Sequence, residues 1–280
     1  MARILFDFTE WTLYSIYFLF HHIIRFVTVV SLLIFISIPL NSYFCVCVRL
    51  HKIIILTLCL MLDITISPEL KNKCPSLRLG CIEADVEVTV SSEDLLSEIN
   101  FRIEQISRSL IIEEISNLPA ISVSRKSYKA CGKDPARYRL SAEALLRRIV
   151  SGKGLYQISN VVDQLNLVSI TSGFSIGGYD VSQIHGNITF GIGHAEEPYC
   201  GIGKGELNIE NLPVFRDEFG AFGTPTSDSQ RTEVNDQTRR FLMILIDFGG
   251  DGQLNEAMEY SVSLLKKYCQ AEELIQKHIL

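Results

Sequence analysis

The stretch from Arg137 to Asp180 constrains the fold of this 280-residue chain more than any other segment. Two helical apolar patterns follow one another within it; the first ends at Gly152 and the second at Gly173. Glycine directly after such a pattern is typical of a helix end, because it adopts the left-handed C-cap conformation without strain. The stretch therefore predicts one short helix capped by Ser141 and a second over residues 159–172, followed by a glycine-bounded turn.

The residues before this stretch predict a strand, a long helix and a further short strand. Residues 79–90 have the β-branched content of a strand, and Ser92 then offers an N-cap. Apolar residues recur at steps of four, four, three and four, which places them on one helical face: Leu95, Ile99, Ile103, Ile106 and Leu110. Pro119 is expected to close this helical region, with a short strand over residues 121–124.

The residues after the stretch predict strands and tight turns, because nine of the 18 glycines lie between Gly173 and Gly205. Residues 187–192 alternate, residues 213–222 have a hairpin pattern, and residues 241–248 form an apolar run expected to be buried on both faces. An amphipathic helix from Leu254 is expected to end the chain. Because helices and strands interleave without regular βαβ alternation, the sequence predicts a single α+β domain, with mixed short strands in a sheet or sandwich core flanked by helices.

The first 60 residues differ in composition from the rest. Their apolar runs, residues 26–40 and 53–62, each fall short of the roughly 20 residues that span a bilayer, and a signal peptide fits poorly without a basic n-region or a small-residue cleavage site. Two interpretations stay open for residues 1–60. A misassigned start would leave a cytoplasmic domain over residues 61–280, whereas a genuine segment would be a membrane anchor over residues 11–60.

The cysteine and histidine residues predict neither a metal site nor a cofactor. The eight cysteines are scattered without a CxxC pair, and no histidine lies near them at metal-ligand spacing. Reduced thiols in a cytoplasmic protein are therefore expected.

The charge of the chain is acidic with one local exception. Residues 61–280 carry 22 of the 26 bases and 30 of the 32 acids, a formal net charge of −8, which disfavours extended non-specific nucleic-acid binding. Between Arg125 and Lys153, however, there are nine bases against Asp134 and Glu143. This excess fits either a solvated helix face or a phosphate-binding patch. The candidate RNA-binding residues of such a patch are Arg137, Arg139, Arg147, Arg148 and Lys153.

Three blocks of the sequence carry a family resemblance. They are residues 132–139 with 141–147, residues 158–180, and residues 232–238 with the apolar run from 241 to 246. Together they resemble the editing domain of the phenylalanyl-tRNA synthetase beta subunit, in the shortened form that occurs as a free-standing protein. The resemblance implies the fold of that domain and a tRNA or aminoacyl-tRNA end as partner, with hydrolysis of mischarged aminoacyl-tRNA in trans as the activity. The alternative is a non-catalytic module that binds an aromatic amino acid or another small ligand in the same pocket.

The resemblance also implies individual site residues. Asn166 falls on the asparagine of the family's site, Glu233 on the glutamate that recognises a tyrosine hydroxyl, and Gly177 on a histidine. Catalytic positions are thus implied at Asn166, Gly177 and Gly178, and substrate contacts at Glu233, Asn166 and Tyr179. A buried acceptor at Glu233 would discriminate strongly against a ligand that lacks the hydroxyl.

The glycine at the histidine position is a departure from the family. It removes a group that orients water or contacts an oxyanion in the family's hydrolytic route. Gly177 and Gly178 would then widen the pocket, present backbone N–H groups to the ester, or serve a turn that needs positive φ.

Overall fold

The computed structural model describes residues 62–249 and 253–280, so the predictions for residues 1–60 lie outside the described part of the chain. Contacts group residues Met61–Leu280 into one compact unit. Its helices are α1 Pro68–Lys73, α2 Glu93–Ser109, α3 Pro119–Cys131, α4 Ser141–Val150, α5 Asn160–Ser172 and α6 Leu254–Tyr268. Its strands are β1 Ile64–Ile66, β2 Arg78–Asp85, β3 Ser175–Asp180, β4 Ile188–Ile192, β5 Cys200–Gly201, β6 Gly205–Glu206, β7 Pro213–Asp217, β8 Gly220–Gly223, β9 Arg240–Asp247 and β10 Glu272–Ile279.

Two four-stranded sheets organise the core. The central sheet has the strand order β10-β2-β9-β3 with all neighbours antiparallel, and the outer sheet has the order β1-β4-β7-β8. Alternate side chains of β9 enter two different clusters: Phe241, Met243 and Leu245 pack with the helices, and their neighbours in the strand pack with the outer sheet. The described chain is therefore layered as helices, central sheet and outer sheet, which confirms the α+β fold and the burial of β9 on both faces.

The elements with the strongest local sequence patterns are present in the structure as predicted. The Ser92 side chain accepts a hydrogen bond from the Leu95 backbone N–H at 3.3 Å, and α2 follows directly. Ser159 caps α5 in the same way, through the N–H of Val162 at 3.3 Å, and Gly173 ends α5 with a φ of 77°. The predicted hairpin is formed by β7 and β8, which pair antiparallel. These boundaries depend on contacts within a few residues, which a local pattern can specify.

Other predictions were wrong, at Pro119, at Ser141 and after α6. Pro119 does not close a helix but begins α3, where its missing N–H is not needed, so residues 121–124 are helical instead of a strand. Ser141 is the first residue of α4 and its side chain does not cap the helix. The last element is not α6 but strand β10, which pairs along β2 at the edge of the central sheet.

None of the helices within residues 62–249 and 253–280 combines the length and the apolar character needed to cross a membrane.

Candidate functional site

Four of the five candidate RNA-binding residues line one open groove beside α4. The groove encloses about 480 Å³ and is bounded by Ile112, Arg139, Ala144, Arg147, Arg148, Ser151 and Lys153. No acidic residue is among these lining residues. Arg137, the fifth candidate, is exposed but does not line this groove. We call this surface the basic groove.

A buried carboxylate beneath the groove holds its arginines in place. Glu143 has a side chain only 1% exposed, and it accepts a hydrogen bond from Arg147 at 2.9 Å and another from Arg125 at 2.8 Å. The guanidinium of Arg139 lies 3.8 Å from the same carboxylate. Arg147 uses only its Nε in this contact, so its two terminal nitrogens make no hydrogen bond within the described residues. Glu143 therefore orders two groove arginines while leaving donors available to a ligand.

The basic segment also contains side chains with internal partners. The Lys133 ammonium donates to the backbone carbonyls of Asn208, at 3.0 Å, and Glu210, and its Nζ lies 3.9 Å from the centre of the Tyr138 ring. Loss of solvent around Lys133 lowers the pKa of its ammonium. Lys133 and Arg125 thus stabilise the fold, and the predicted patch is smaller than the run of bases in the sequence.

The two glycines implied as catalytic lie within β3, where Gly177 is buried and Gly178 is half-buried. Neither has a positive φ, so they do not serve a strained turn. A Cβ at Gly177 would collide with the hydroxyl of Tyr179, which is fully buried, and a Cβ at Gly223 of the outer sheet would collide with it too. On the other face of β3, a Cβ at Gly178 would meet the side chain of Leu165. Glycine is needed at these positions because neighbouring side chains occupy the space.

Tyr179 and Gly178 converge on an aspartate that the sequence pattern did not single out. The Tyr179 hydroxyl donates to one oxygen of Asp228 at 2.9 Å, and the Gly178 N–H donates to the other at 3.3 Å. Loss of solvent raises the pKa of the Asp228 carboxyl to about 7, although Tyr179, Gly178 and Lys204 favour its charged form. The surrounding segment Thr-Pro-Thr-Ser-Asp-Ser is typical of a solvated turn, so it carried no signal of this partial burial.

The remaining implied site residues lie on other surfaces. Asn166 is half-buried and lines a pocket between α2, α5 and the segment before α5, and Gly177, Gly178 and Glu233 are not among the residues that line it. Glu233 is exposed on the segment between β8 and β9. The buried acceptor expected at Glu233 is therefore a surface carboxylate.

One hydrogen bond does join two of the resembling blocks. The hydroxyl of Thr238 donates to Asp180 at 2.8 Å, and both side chains are buried. Asp180 also accepts the Ser182 N–H at 2.9 Å just beyond β3. These residues hold the start of β9 against the end of β3, so their contribution is to the fold.

The family model of the B3/4 domain matches residues 123–270, more than half of the chain. The chain belongs to the B3/4 domain family. No curated protein matches it. Among solved structures it is similar to an N-terminal fragment of the phenylalanyl-tRNA synthetase beta subunit from Pyrococcus horikoshii, with 12% sequence identity and a TM-score of 0.42. That match covers 77% of this chain and 53% of the fragment, so the chain spans about half of the fragment's length.

The B3/4 domain contains nearly all of the candidate site residues. The basic groove lies within the matched residues except for Ile112, and so do the residues around Tyr179 and Asp228. Within the described residues, no group of three or more His, Cys, Asp or Glu side chains is placed to hold a metal ion. Positive charge is concentrated at the basic groove, within a chain whose net charge is negative.

Proposed function

We propose that this B3/4 domain binds RNA, a tRNA or its aminoacylated end, with phosphates in the basic groove. The observation that supports this most is the convergence of Arg139, Arg147, Arg148 and Lys153 on one open surface without an acidic lining residue. Arginine and lysine side chains in such a groove match the charge and the acceptor oxygens of a phosphate backbone.

The geometry of the groove favours a site for a few phosphates over a surface that attracts anions in general. Arg147 and Arg139 are oriented by the buried Glu143, which lowers the conformational entropy that binding would cost. The net charge of the surrounding residues is negative, so RNA is repelled elsewhere and directed to this groove. Both features support a local contact to a few phosphates instead of an extended non-specific one.

Hydrolysis of a mischarged aminoacyl-tRNA in trans is the finer proposal that the resemblance motivates. The resemblance implies Asn166, Gly177 and Gly178 as its catalytic residues, with Glu233 and Tyr179 at the amino acid, although these residues do not line one pocket of this structure. The test is a deacylation assay with tRNAs charged with tyrosine or phenylalanine. Ester loss above the protein-free rate supports hydrolysis. Unchanged or slower loss, with measurable tRNA binding, favours the alternative of a module that binds without cleaving.

RNA binding is tested by removing the two groove bases that do not touch Glu143. The double variant Arg148→Ala, Lys153→Ala should bind tRNA more weakly, and the slope of log affinity against log salt should become shallower by about 0.7 to 0.9 per lost phosphate contact. The matched control is Lys126→Ala, Lys129→Ala, which removes equal charge from exposed positions of α3 outside the groove.

The control distinguishes binding in the groove from binding that depends only on the positive charge of this segment. Weaker binding by the groove variant alone supports the proposal. Equal weakening by both variants would assign the affinity to overall charge, and affinity unchanged in both would leave the bases as a solvated helix face. A cytoplasmic location belongs to the same proposal and is tested by fractionating cells that express the full chain.

A further inference from the structure

An exposed aromatic ring stands directly beside the basic groove. Tyr156 is 66% exposed, and the guanidinium carbon of Arg148 lies 3.8 Å from the centre of its ring. The segment that carries Tyr156 lines two cavities: Ser151 and Lys153 line the basic groove, and the residues from Gly154 to Gln157 line the pocket that contains Asn166. The Arg148 side chain of the basic groove therefore covers one face of the ring, and the exposure of Tyr156 leaves ring surface open to a second stacking partner.

The pocket on the other side of this segment is small and has amide groups along its edge. It encloses about 160 Å³, below the roughly 300 Å³ at which pockets for drug-sized ligands begin. Apolar walls come from Ile99 and Ile103 of α2, and amides come from Asn100, Gln157 and Asn166. None of these three amides makes a side-chain hydrogen bond within the described part of the chain, so each can donate to and accept from a ligand.

The segment that carries Tyr156 is fixed at its end by a buried aspartate. Asp163 accepts the Ile158 N–H at 2.9 Å and the Ser91 hydroxyl at 2.6 Å, and its side chain is almost completely buried. At the beginning of the segment, the Lys153 N–H donates to the Arg148 carbonyl at 3.0 Å. These contacts hold the segment that carries the ring against α4 and α5, so the stacking surface is preorganised.

We propose that Tyr156 and the Asn166 pocket bind one unpaired base of the RNA, with adenine preferred. This inference rests on the proposed RNA binding and specifies its substrate as single-stranded. Stacking on an aromatic ring next to a basic groove is how proteins hold single strands, because a base in a duplex is not available for stacking. Asparagine and glutamine amides pair with adjacent donor and acceptor groups on adenine, which gives the base preference.

The experiment measures fluorescence anisotropy of labelled RNAs with the full chain. An oligoadenylate, an oligouridylate and a duplex of equal length are compared at one low salt concentration. Tyr156→Ala should weaken oligoadenylate binding about 10- to 100-fold, the effect expected for loss of one stacked base, and should change duplex binding less than about twofold. Tyr156→Phe keeps the ring and should bind like the original chain. Asn166→Ala should reduce the preference for adenylate over uridylate.

The matched control is Phe219→Ala, because Phe219 is 67% exposed but does not line the basic groove or the Asn166 pocket. A second readout uses Tyr156→Trp in a Trp11→Phe chain, which makes position 156 the only tryptophan; oligoadenylate should quench its fluorescence. If Tyr156→Ala weakens every RNA equally, or weakens none while Arg148→Ala, Lys153→Ala still does, the base site is wrong and the groove stands. If the original chain binds no RNA, both proposals are overturned.

Discussion

The basic groove, which the local excess of bases predicted, and the glycine-containing strand β3, which the family resemblance marked, differ in what they offer to a ligand. In the groove, a buried carboxylate supports side chains whose donors face outward. In β3, the space beside Gly177 is filled by Tyr179, whose hydroxyl is used by Asp228. The difference shows that a residue implied as part of a site can contact a ligand only where the fold leaves space beside it. The structure supports binding at the first region and packing at the second.

The largest effect is expected at the support of the groove. Glu143→Ala would leave Arg125, Arg139 and Arg147 without their shared carboxylate and should lower the free energy of unfolding by about 3–5 kcal/mol. Urea denaturation measures this change. The control Glu104→Ala removes an exposed pair with Arg108 in α2 and should cost less than about 1 kcal/mol. If both variants cost the same, Glu143 does not organise the groove.

The next effect is a pH dependence of stability from Asp228, which contacts β3. The Asp228 carboxyl keeps its proton up to about pH 7 in the folded chain, because loss of solvent raises its pKa. An unfolded aspartate releases this proton at about pH 4. Between these values the unfolded chain alone is charged at this position, so the contribution of Asp228 to stability falls as the pH rises, by at most about 4 kcal/mol.

The variant Asp228→Asn cannot ionise, and it isolates this contribution. The free energy of unfolding of both proteins is measured from pH 4 to pH 8. The two values should converge or cross, because the variant gains relative stability as the pH rises, and their difference should be constant above about pH 7. Asp236→Asn changes an exposed aspartate and should run parallel to the original chain. Parallel curves for Asp228→Asn as well would show that this carboxyl is solvated.

Restoring the family's histidine distinguishes a lost catalytic position from a packed one. Gly177→His should lower the free energy of unfolding by about 3 kcal/mol, because the new side chain must displace the buried Tyr179 ring. In the double variant with Tyr179→Ala, the two losses should be less than additive, since removal of the ring makes room. Denaturation of the four proteins of this cycle gives the coupling. A stable Gly177→His protein that gains esterase activity would instead show that Gly177 is a vacant catalytic position.

The sequence predicted those parts of the fold that local contacts determine. Ser92, Ser159 and Gly173 mark helix ends because their capping partners lie within a few residues. Strand β10 was missed because it lies at a sheet edge with mostly exposed side chains, and its pairing with β2 spans most of the domain. An edge strand of this kind has no alternating pattern to detect.

The sequence predicted where the candidate RNA-binding site lies but not which of its side chains are buried. The excess of bases marked the groove, because charge density is a property of composition. Which bases face outward was not predictable, since Lys133 is buried by contacts with a segment more than seventy residues away. The burial of Glu143 and the partial burial of Asp228 likewise depend on tertiary packing, and each looks in sequence like an ordinary solvated acid.

The smallest effect is expected at Glu233, where resemblance and structure predict different outcomes. In a dry pocket, loss of a carboxylate that binds the tyrosine hydroxyl would cost several kcal/mol of discrimination between tyrosyl and phenylalanyl esters. Glu233 is exposed in this chain, and a contact made in water contributes only about 0.2–1 kcal/mol. We therefore expect Glu233→Ala to leave stability within about 0.5 kcal/mol of the original chain and the ratio of deacylation rates for the two esters within about fivefold. The matched control is Glu206→Ala, which changes another exposed glutamate outside the resembling blocks. A selective loss of tyrosyl preference in Glu233→Ala alone would instead place this carboxylate in a substrate site that closes around the ligand.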